Sequence, residues 1–148
     1  MVKQWGPITW ILFHTIAEKC NAQNYPQNKG TLLSIIKEIC SKLPCPDCRY
    51  HATTYMKNIS VGHIPTKNDF IKMIYDFHNT VNKRLNKPEY PFKDLEKYKR
   101  ANYPLVLKKF NYEWVGNTAT RVLSDQLTRN ILFQKIRNNL IDRNLILY

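Results

Sequence analysis

Apolar residues recur at helical spacing near the start of the chain. The segment 8–17 (ITWILFHTIA) predicts a first helix, and Pro7 suits the first turn of such a helix. A polar stretch through Pro26 and Gly30 predicts a loop. The segment 31–43 (TLLSIIKEICSKL) then predicts a second helix that is buried over a wide face.

The middle of the chain predicts two more helices. Two prolines end the second helix, and residues 48–59 predict a short third helix that opens at a pair of cysteines. Residues 65–87 (PTKNDFIKMIYDFHNTVNKRLNK) predict a long fourth helix. Its start is marked by Thr66 and Asp69, which have the spacing of a capping box.

The last third of the chain has weaker patterns. Residues 91–102 (PFKDLEKYKRAN) predict a short charged helix that ends before Pro104, and a further helix is predicted from about Ser124 onward. Its apolar positions are Leu127, Ile131, Ile136 and Leu140. No segment alternates long enough to predict a sheet. We therefore expect an all-α protein, a helical bundle with a partly helical C-terminal attachment.

Composition limits the number of domains and the kind of partner. A chain of 148 residues that is 43% hydrophobic supports one core and is too short for two independent domains. The 23 Lys and Arg against 11 Asp and Glu give a formal charge of +12, which favours anionic partners. Because this charge is spread along the chain, it does not indicate a specific nucleic-acid site.

No targeting or membrane segment is expected. The first apolar run is interrupted by His14, unlike an export signal. No run approaches the roughly 20 apolar residues of a spanning helix. We therefore expect a cytoplasmic protein without a signal peptide, in a compartment where a cysteine pair is more often catalytic or metal-bound than a structural bridge.

The cysteine pair is Cys45 and Cys48, in the segment SKLPCPDCRYH. A structural zinc site needs four ligands, and only His51 and Cys40 are available nearby, at an uncommon spacing, so no metal is expected. A redox pair explains more. If the third helix begins near Pro46, Cys45 lies at its cap and Cys48 in its first turn, where unpaired N–H groups and the helix dipole stabilise a thiolate. The alternatives are two buried cysteines packed as apolar residues, or a basic, non-enzymatic binding module whose C-x-x-C is a structural or zinc-holding clip.

Polar residues fall on the apolar faces of two predicted helices. Trp10 and His14 are four apart on the first helix, and His78 and Asn82 are four apart on the fourth. A hydrogen-bonded core network would explain them. They would equally suit a planar heterocycle such as a flavin, which needs stacking surfaces together with donors and acceptors.

Three segments together resemble a known family. WGPITWILFH, LPCPDCRYH and FHNTVNKRLNKPEY are similar, in order and spacing, to the signature segments of the Erv/ALR family of FAD-linked sulfhydryl oxidases. The resemblance covers about residues 1–101, and the compact form resembles the versions carried by large cytoplasmic DNA viruses. It implies a five-helix bundle over 1–101, with a four-helix core and a short fifth helix, usually dimeric, that binds FAD beside the C-x-x-C. Residues 102–148 would then be a partly helical C-terminal extension outside the family domain.

The resemblance also implies residue roles. Cys48 would be the sulfur next to the flavin, and Cys45 the outer sulfur that exchanges with substrate thiols. Electrons would pass from protein dithiols through FAD to O2 and give H2O2. The implied donors are a thioredoxin-like carrier or viral structural proteins, in the host cytoplasm or the virion. The implied cofactor-binding residues are Gly6, Pro7, Trp10, His14, His78, Asn79, Val81, Asn82, Leu85, Lys87 and, by a looser spacing, Tyr98.

The chain departs from the family pattern in three respects. It lacks a second, shuttle cysteine pair, so substrate thiols must reach Cys45 directly or through a carrier. It also lacks the structural bridge that many members have near the loop after the fourth helix. Cys20 and Cys40 are either free thiols, which we slightly favour, or a bridge between the first two helices. Asn86 replaces a glycine and is able to adopt the same left-handed backbone.

Overall fold

The computed structural model describes residues 4–116 and 123–147, and these residues are almost entirely helical. Three short helices of other types connect the α-helices: 3-10 helices over Val61–His63 and Phe92–Arg100, and a π-helical turn over Asn111–Val115. The α-helices are α1 (Trp5–Lys19), α2 (Tyr25–Cys40), α3 (Pro46–Lys57), α4 (Lys67–Arg84), α5 (Tyr103–Phe110) and α6 (Leu123–Asp142). The predicted all-α class is confirmed.

Helix α1 lies at the centre of the molecule. It packs against α4, α5 and the 3-10 helix 92–100, while α2 packs against α3 and α6. Leu12 and Ile16 of α1 are fully buried, as are Ile36 and Ile39 of α2. The apolar faces predicted for these helices therefore form the core, whose burial is the main favourable contribution to folding.

Helix starts follow the chemistry of their first residues. The predicted capping box of α4 is confirmed: the backbone N–H of Asp69 donates to Oγ1 of Thr66, and the backbone N–H of Thr66 donates to Oδ2 of Asp69. At the other end of α4, Asn86 has φ 56°, the left-handed backbone expected where the family has glycine.

Two predicted boundaries and one helix type were wrong. Residues 25–30 are the first turns of α2 rather than a loop, because Pro26 lies in the first turn, where a missing N–H costs nothing, and Tyr25 anchors the start by donating to the carbonyl of Ile64 at 2.8 Å. The second helix ends at Cys40, and Leu43 is buried beyond it. The fifth helix is 3-10 rather than α.

The C-terminal part folds against the bundle. An unpredicted helix, α5, starts at Tyr103: the side chain of Asn102 caps it, and Pro104 begins it instead of ending the previous segment. Trp114 is fully buried and stacks on Phe110 at 4.8 Å. The predicted helix after Ser124 is confirmed as α6, and Ile136 and Leu140 on it are buried.

The end of the described chain pairs with the end of α1. Cys20 and Ile146 form an isolated antiparallel bridge, and the N–H of Leu147 donates to the carbonyl of Lys19 at 2.8 Å. Residues 103–116 and 123–147 thus share the core with the bundle. The division into a family domain over 1–101 and an extension over 102–148 stays a prediction.

Candidate redox and flavin site

The cysteine pair lies at the start of α3. Cys45 is the N-cap of this helix and Pro46 its first residue, so the unpaired N–H groups of the first turn point towards Cys45. The N–H of Cys48 donates to Sγ of Cys45 at 3.2 Å. Both sulfurs are partly exposed, and both cysteines are free thiols in the structure.

The two thiols differ in acidity. Partial burial opposes ionisation of Cys45, but hydrogen bonds from the side chain and N–H of Cys48 and from the N–H of Asp47 outweigh it and lower the pKa of Cys45. Burial, followed by the hydrogen bond and charge of Cys45, raises the pKa of Cys48 to about 11. Cys45 is therefore the more acidic thiol of the reduced pair.

A carboxylate between the cysteines is held by two cationic or basic groups. Oδ2 of Asp47 accepts from Nη1 of Arg84 at 3.3 Å, and its Oδ1 lies 3.5 Å from Nε2 of His51. Arg84, at the end of α4, also lowers the pKa of Cys48 by its charge, against the effects that raise it. This ion pair joins the redox loop to the helix that carries His78 and Asn82.

The predicted polar residues of α1 and α4 meet in the interior. His14 and His78 share a hydrogen bond of 2.8 Å between Nε2 and Nδ1, so one ring donates and the other accepts. Trp10 stacks on His78 with ring centroids 4.1 Å apart and an interplanar angle of 7°. Three of the four residues singled out from helical spacing thus form one cluster.

Both imidazoles are neutral. Burial lowers the pKa of His14 to about 3, helped by the charges of His78 and Lys97. Burial lowers the pKa of His78 to about 4, helped by the charge of Lys87. Neutral rings offer donors and acceptors without the cost of an unpaired buried charge.

Two tyrosines complete the cluster, and only one of them was predicted. His14 stacks on Tyr90 at 5.4 Å and on Tyr98 at 5.0 Å, and the Tyr90 hydroxyl donates to that of Tyr98 at 3.1 Å. Nζ of Lys97 lies over both tyrosine rings, at 5.6 and 5.2 Å. Tyr90 and Lys97 were missed, although Tyr90, the aromatic residue that ends the third signature segment, was a usable signal.

The side chain of Asn79 forms two hydrogen bonds with the backbone of Tyr90. Its Oδ1 accepts from the N–H of Tyr90 at 2.7 Å, and its Nδ2 donates to the carbonyl of Tyr90 at 3.3 Å. Both functional groups of the amide are therefore engaged in fixing the chain after α4. Asn79 positions the cluster through Tyr90.

The residues present fit a flavin nucleotide. Asn82 is buried on α4, one turn after His78, so its carboxamide offers a donor and an acceptor beside the ring cluster. The flat faces of Trp10, His14 and Tyr98 suit planar rings, and Lys87 and Lys97 suit phosphate. A ligand with heterocycles and phosphates matches this donor set.

The remaining predicted cofactor residues lie at the edge of the cluster. Pro7 and Lys87 are exposed, Gly6 and Val81 are half-buried, and Leu85 is 45% exposed. The space over Gly6 is open, since a Cβ there would meet no atom within 4 Å. Their assignment to FAD stays a prediction.

Cys20 and Cys40 are both buried and free. Cys20 is the C-cap of α1, whereas Cys40 is the last residue of α2, at the far end of a 16-residue helix about 24 Å long. Burial raises the pKa of Cys20 to about 11 and that of Cys40 to about 12. These thiols are unreactive and lie outside the redox loop.

Two properties of the described residues bear on the zinc-holding and membrane-spanning alternatives. Among residues 4–116 and 123–147, no three His, Cys, Asp or Glu side chains lie close enough together to bind a metal ion. None of the described helices has the length and hydropathy required to cross a bilayer. No finding supports the zinc-holding module.

Sequence relatives agree with the site. The chain is 37% identical over 93 residues to the 347L protein of Invertebrate iridescent virus 6, covering 59% of this chain and 84% of that protein. It is 31% identical over 108 residues to the FAD-linked sulfhydryl oxidase of African swine fever virus, covering 73% and 87%. It is 27% identical over 89 residues to the mitochondrial FAD-linked sulfhydryl oxidase ERV1 of Saccharomyces cerevisiae, covering 60% and 47%.

No solved structure matches the chain. The family model of the Erv1 / Alr family matches residues 7–103, from the start of α1 to the start of α5. This range contains the redox loop, the neutral histidine pair and the tyrosines stacked on it. The chain therefore belongs to the Erv1 / Alr family.

Proposed function

We propose that this protein is an FAD-dependent thiol oxidase that forms disulfide bonds in protein substrates. The observation that carries the proposal is the asymmetric pair Cys45 and Cys48 at the start of α3, joined through Arg84 to the helix that carries the buried His78 and Asn82. The names of the viral and yeast relatives support it. The alternative, a non-enzymatic binding module, lacks such support.

The chain's own residues perform the thiol exchange. A substrate thiolate attacks Sγ of Cys45 in the Cys45–Cys48 disulfide, and the electron pair of the broken S–S bond leaves on Cys48. A second substrate thiolate then attacks the substrate sulfur of the mixed disulfide and releases Cys45. Because the pKa of Cys45 is lowered, Cys45 is a good leaving group, and the substrate departs with a new disulfide.

The cluster of α1 and α4 would bind the cofactor. FAD, when bound, accepts the two electrons of the reduced pair and transfers them to O2, giving H2O2. Trp10, His14 and Tyr98 would orient its rings, and the Asn82 amide would satisfy its polar edge. Lys87, with Lys97, would neutralise its phosphates. The chain excludes water here by burying His14 and His78.

Gly6, Pro7, Asn79, Val81 and Leu85 complete the proposed cofactor-binding set. Gly6 leaves open space at the start of α1, and Asn79 acts through Tyr90. The support for Pro7, Val81 and Leu85 is their place in the signature segments.

The finer biology is also proposed. The absence of a shuttle pair favours direct transfer from substrate or carrier dithiols, including a thioredoxin-like protein, to Cys45. The viral relatives favour action on viral proteins in the host cytoplasm or virion. A homodimer rests on the family resemblance and is tested by light scattering on the purified protein.

The decisive experiment is a visible absorption spectrum followed by dithiothreitol in an oxygen electrode. We expect flavin bands and thiol-dependent oxygen uptake. Cys45→Ala and Cys48→Ala should each retain the flavin and abolish uptake, whereas Cys20→Ala, outside the loop, should retain both. A colourless protein that does not take up added FAD would contradict the proposal.

A further inference from the structure

Helix α6 runs antiparallel to α2 in a register fixed by polar contacts. Nη2 of Arg143 donates to Oδ1 of Asn28 at 3.1 Å, and Nζ of Lys135 donates to Oε1 of Glu38 at 3.1 Å. Residues nearer the start of α6 therefore contact residues nearer the end of α2. Glu38 lies two residues before the end of α2, so the residues of α6 that precede Lys135 extend past that end, on the side of the molecule where the redox loop follows α2.

Electrostatics agree with this placement. Burial lowers the pKa of Arg129, and the charge of Arg49, in α3, lowers it further, whereas Asp125 raises it. Arg129 in the C-terminal extension and Arg49 in the redox helix are therefore close enough for their charges to repel each other. Nε of Arg129 donates to the carbonyl of Trp114 at 2.9 Å, which fixes the start of α6 to the buried part of the extension.

The outer face of this part of α6 is apolar and exposed. Leu127 and Ile131 are one turn apart and 54% and 71% exposed, whereas Phe133 and Ile136 on the opposite face are buried. On the redox helix, Tyr50 is 68% exposed. Leu127 and Ile131 followed the apolar period expected for a buried face, yet the bundle does not cover them.

The same end of the molecule is positively charged. Lys42 precedes the cysteine pair, Arg49 follows it, and Arg84 contacts the redox loop from α4. The nearby carboxylate of Asp47 is already paired with Arg84. An approaching protein therefore meets cationic side chains next to exposed apolar ones.

We propose that Tyr50, Leu127, Ile131 and the cations Lys42, Arg49 and Arg84 form a docking surface for acidic dithiol segments of substrate proteins. The inference rests on the proposed thiol oxidase function and adds the substrate class and a role for the extension. Complementary charge attracts the acidic segment to Cys45, and the apolar side chains hold it while the thiols exchange. The extension replaces part of what a shuttle segment would provide.

The test compares two reduced peptides in the flavin-loaded enzyme. They share one C-x-x-C and one leucine, and they differ only in flanking glutamates or lysines. At low ionic strength, kcat/KM from oxygen uptake should be about tenfold higher for the acidic peptide, within the range of electrostatic steering. The ratio should fall towards one as salt screens the charges.

Paired variants locate the surface. Lys42→Glu should reduce the acidic-to-basic ratio, whereas Lys57→Glu, at the other end of α3 and with the same change of net charge, should reduce it much less. The double variant Leu127→Ser/Ile131→Ser should lower kcat/KM for the acidic peptide about fivefold and leave dithiothreitol turnover unchanged. Leu147→Ser, an exposed leucine beside the end of α1, should change neither.

The outcomes separate this inference from the function on which it rests. Absence of dithiothreitol turnover would refute the oxidase and the docking surface together. Normal dithiothreitol turnover with equal kcat/KM for the two peptides would overturn the docking surface alone. A third outcome would overturn it in favour of a lipid-binding surface. In that case the two peptides react at equal rates, the protein binds anionic phosphatidylserine vesicles, and the Leu127/Ile131 double variant does not bind them.

Discussion

The backbone N–H of Cys48 donates to Sγ of Cys45 across 3.2 Å, so the first turn of α3 stabilises one thiolate of the pair. Cys48 is a first-turn residue that packs against the core and retains its proton. The geometry therefore makes the two thiols unequal in acidity, whereas the roles of Cys45 as the outer sulfur and Cys48 as the sulfur next to the flavin stay predictions from the family resemblance.

We predict that alkylation of the reduced protein is selective. At pH about 8, iodoacetamide should label Cys45 well before Cys48, because the pKa of Cys45 is lowered and that of Cys48 is raised to about 11. Labelling of each peptide, followed by mass spectrometry as a function of pH, measures the two thiols separately. Equal rates, or a faster Cys48, would contradict the assignment.

The sequence predicted the parts of the fold that depend on local chemistry. The capping box of Thr66 and Asp69 and the cap at Cys45 require only neighbouring residues, and both were found where expected. Prolines were misread, since Pro26 and Pro104 begin helices instead of ending segments, and a proline alone does not distinguish a first turn from a stop.

The sequence predicted only those neighbours in the site that lie one turn apart on the same helix. The spacing of four placed His14 beside Trp10 and His78 beside Asn82, but the clamp between Asn79 and Tyr90 depends on how the chain turns back after α4. No local pattern encodes that return. Periodicity also failed for Ile131, because an apolar face is buried only where another element covers it.

We predict that Asn79 stabilises the protein through Tyr90. Asn79→Ala removes two hydrogen bonds to the Tyr90 backbone and should lower the free energy of unfolding by about 1–3 kcal/mol. It should also weaken retention of flavin, since Tyr90 stacks on both His14 and His78. Urea unfolding and dialysis of the flavin-loaded protein measure the two effects.

The neighbouring Thr80 supplies a control. It is exposed, and its hydroxyl donates to the carbonyl of Asp76 within the same helix and contacts the hydroxyl of Tyr55, without contact to the cluster. Thr80→Ala should therefore change stability by less than about 0.5 kcal/mol. Equal effects of the two substitutions would show that the Asn79 clamp contributes nothing.

We predict that the oxidised protein retains two free thiols per chain. All four cysteines are free in the structure, and only Cys45 and Cys48 are neighbours in the redox loop. Cys20 is the C-cap of α1, whereas Cys40 is the last residue of α2. Thiol titration in denaturant after air oxidation should find these two, whereas finding none would mean that they are bridged.

We predict that the histidine pair makes the protein less stable as the pH falls below about 6.5. The folded-state pKa values of His14 and His78 are about 3 and about 4, against 6.5 for an unperturbed histidine. Between these values the unfolded chain binds protons that the folded protein does not, so the free energy of unfolding decreases as the pH falls. Above pH 7 neither group contributes to the pH dependence.

Urea unfolding of the flavin-loaded protein between pH 7 and pH 5 measures this effect. For His14 the slope approaches about 1.4 kcal/mol per pH unit below 6.5, and His14→Gln should remove that part of it because glutamine does not bind a proton. His63→Gln, at an exposed position in the 3-10 helix 61–63, should retain the slope of the unsubstituted protein. The same slope in the His14 and His63 variants would mean that His14 does not titrate as its burial requires, and that another group carries the acid sensitivity.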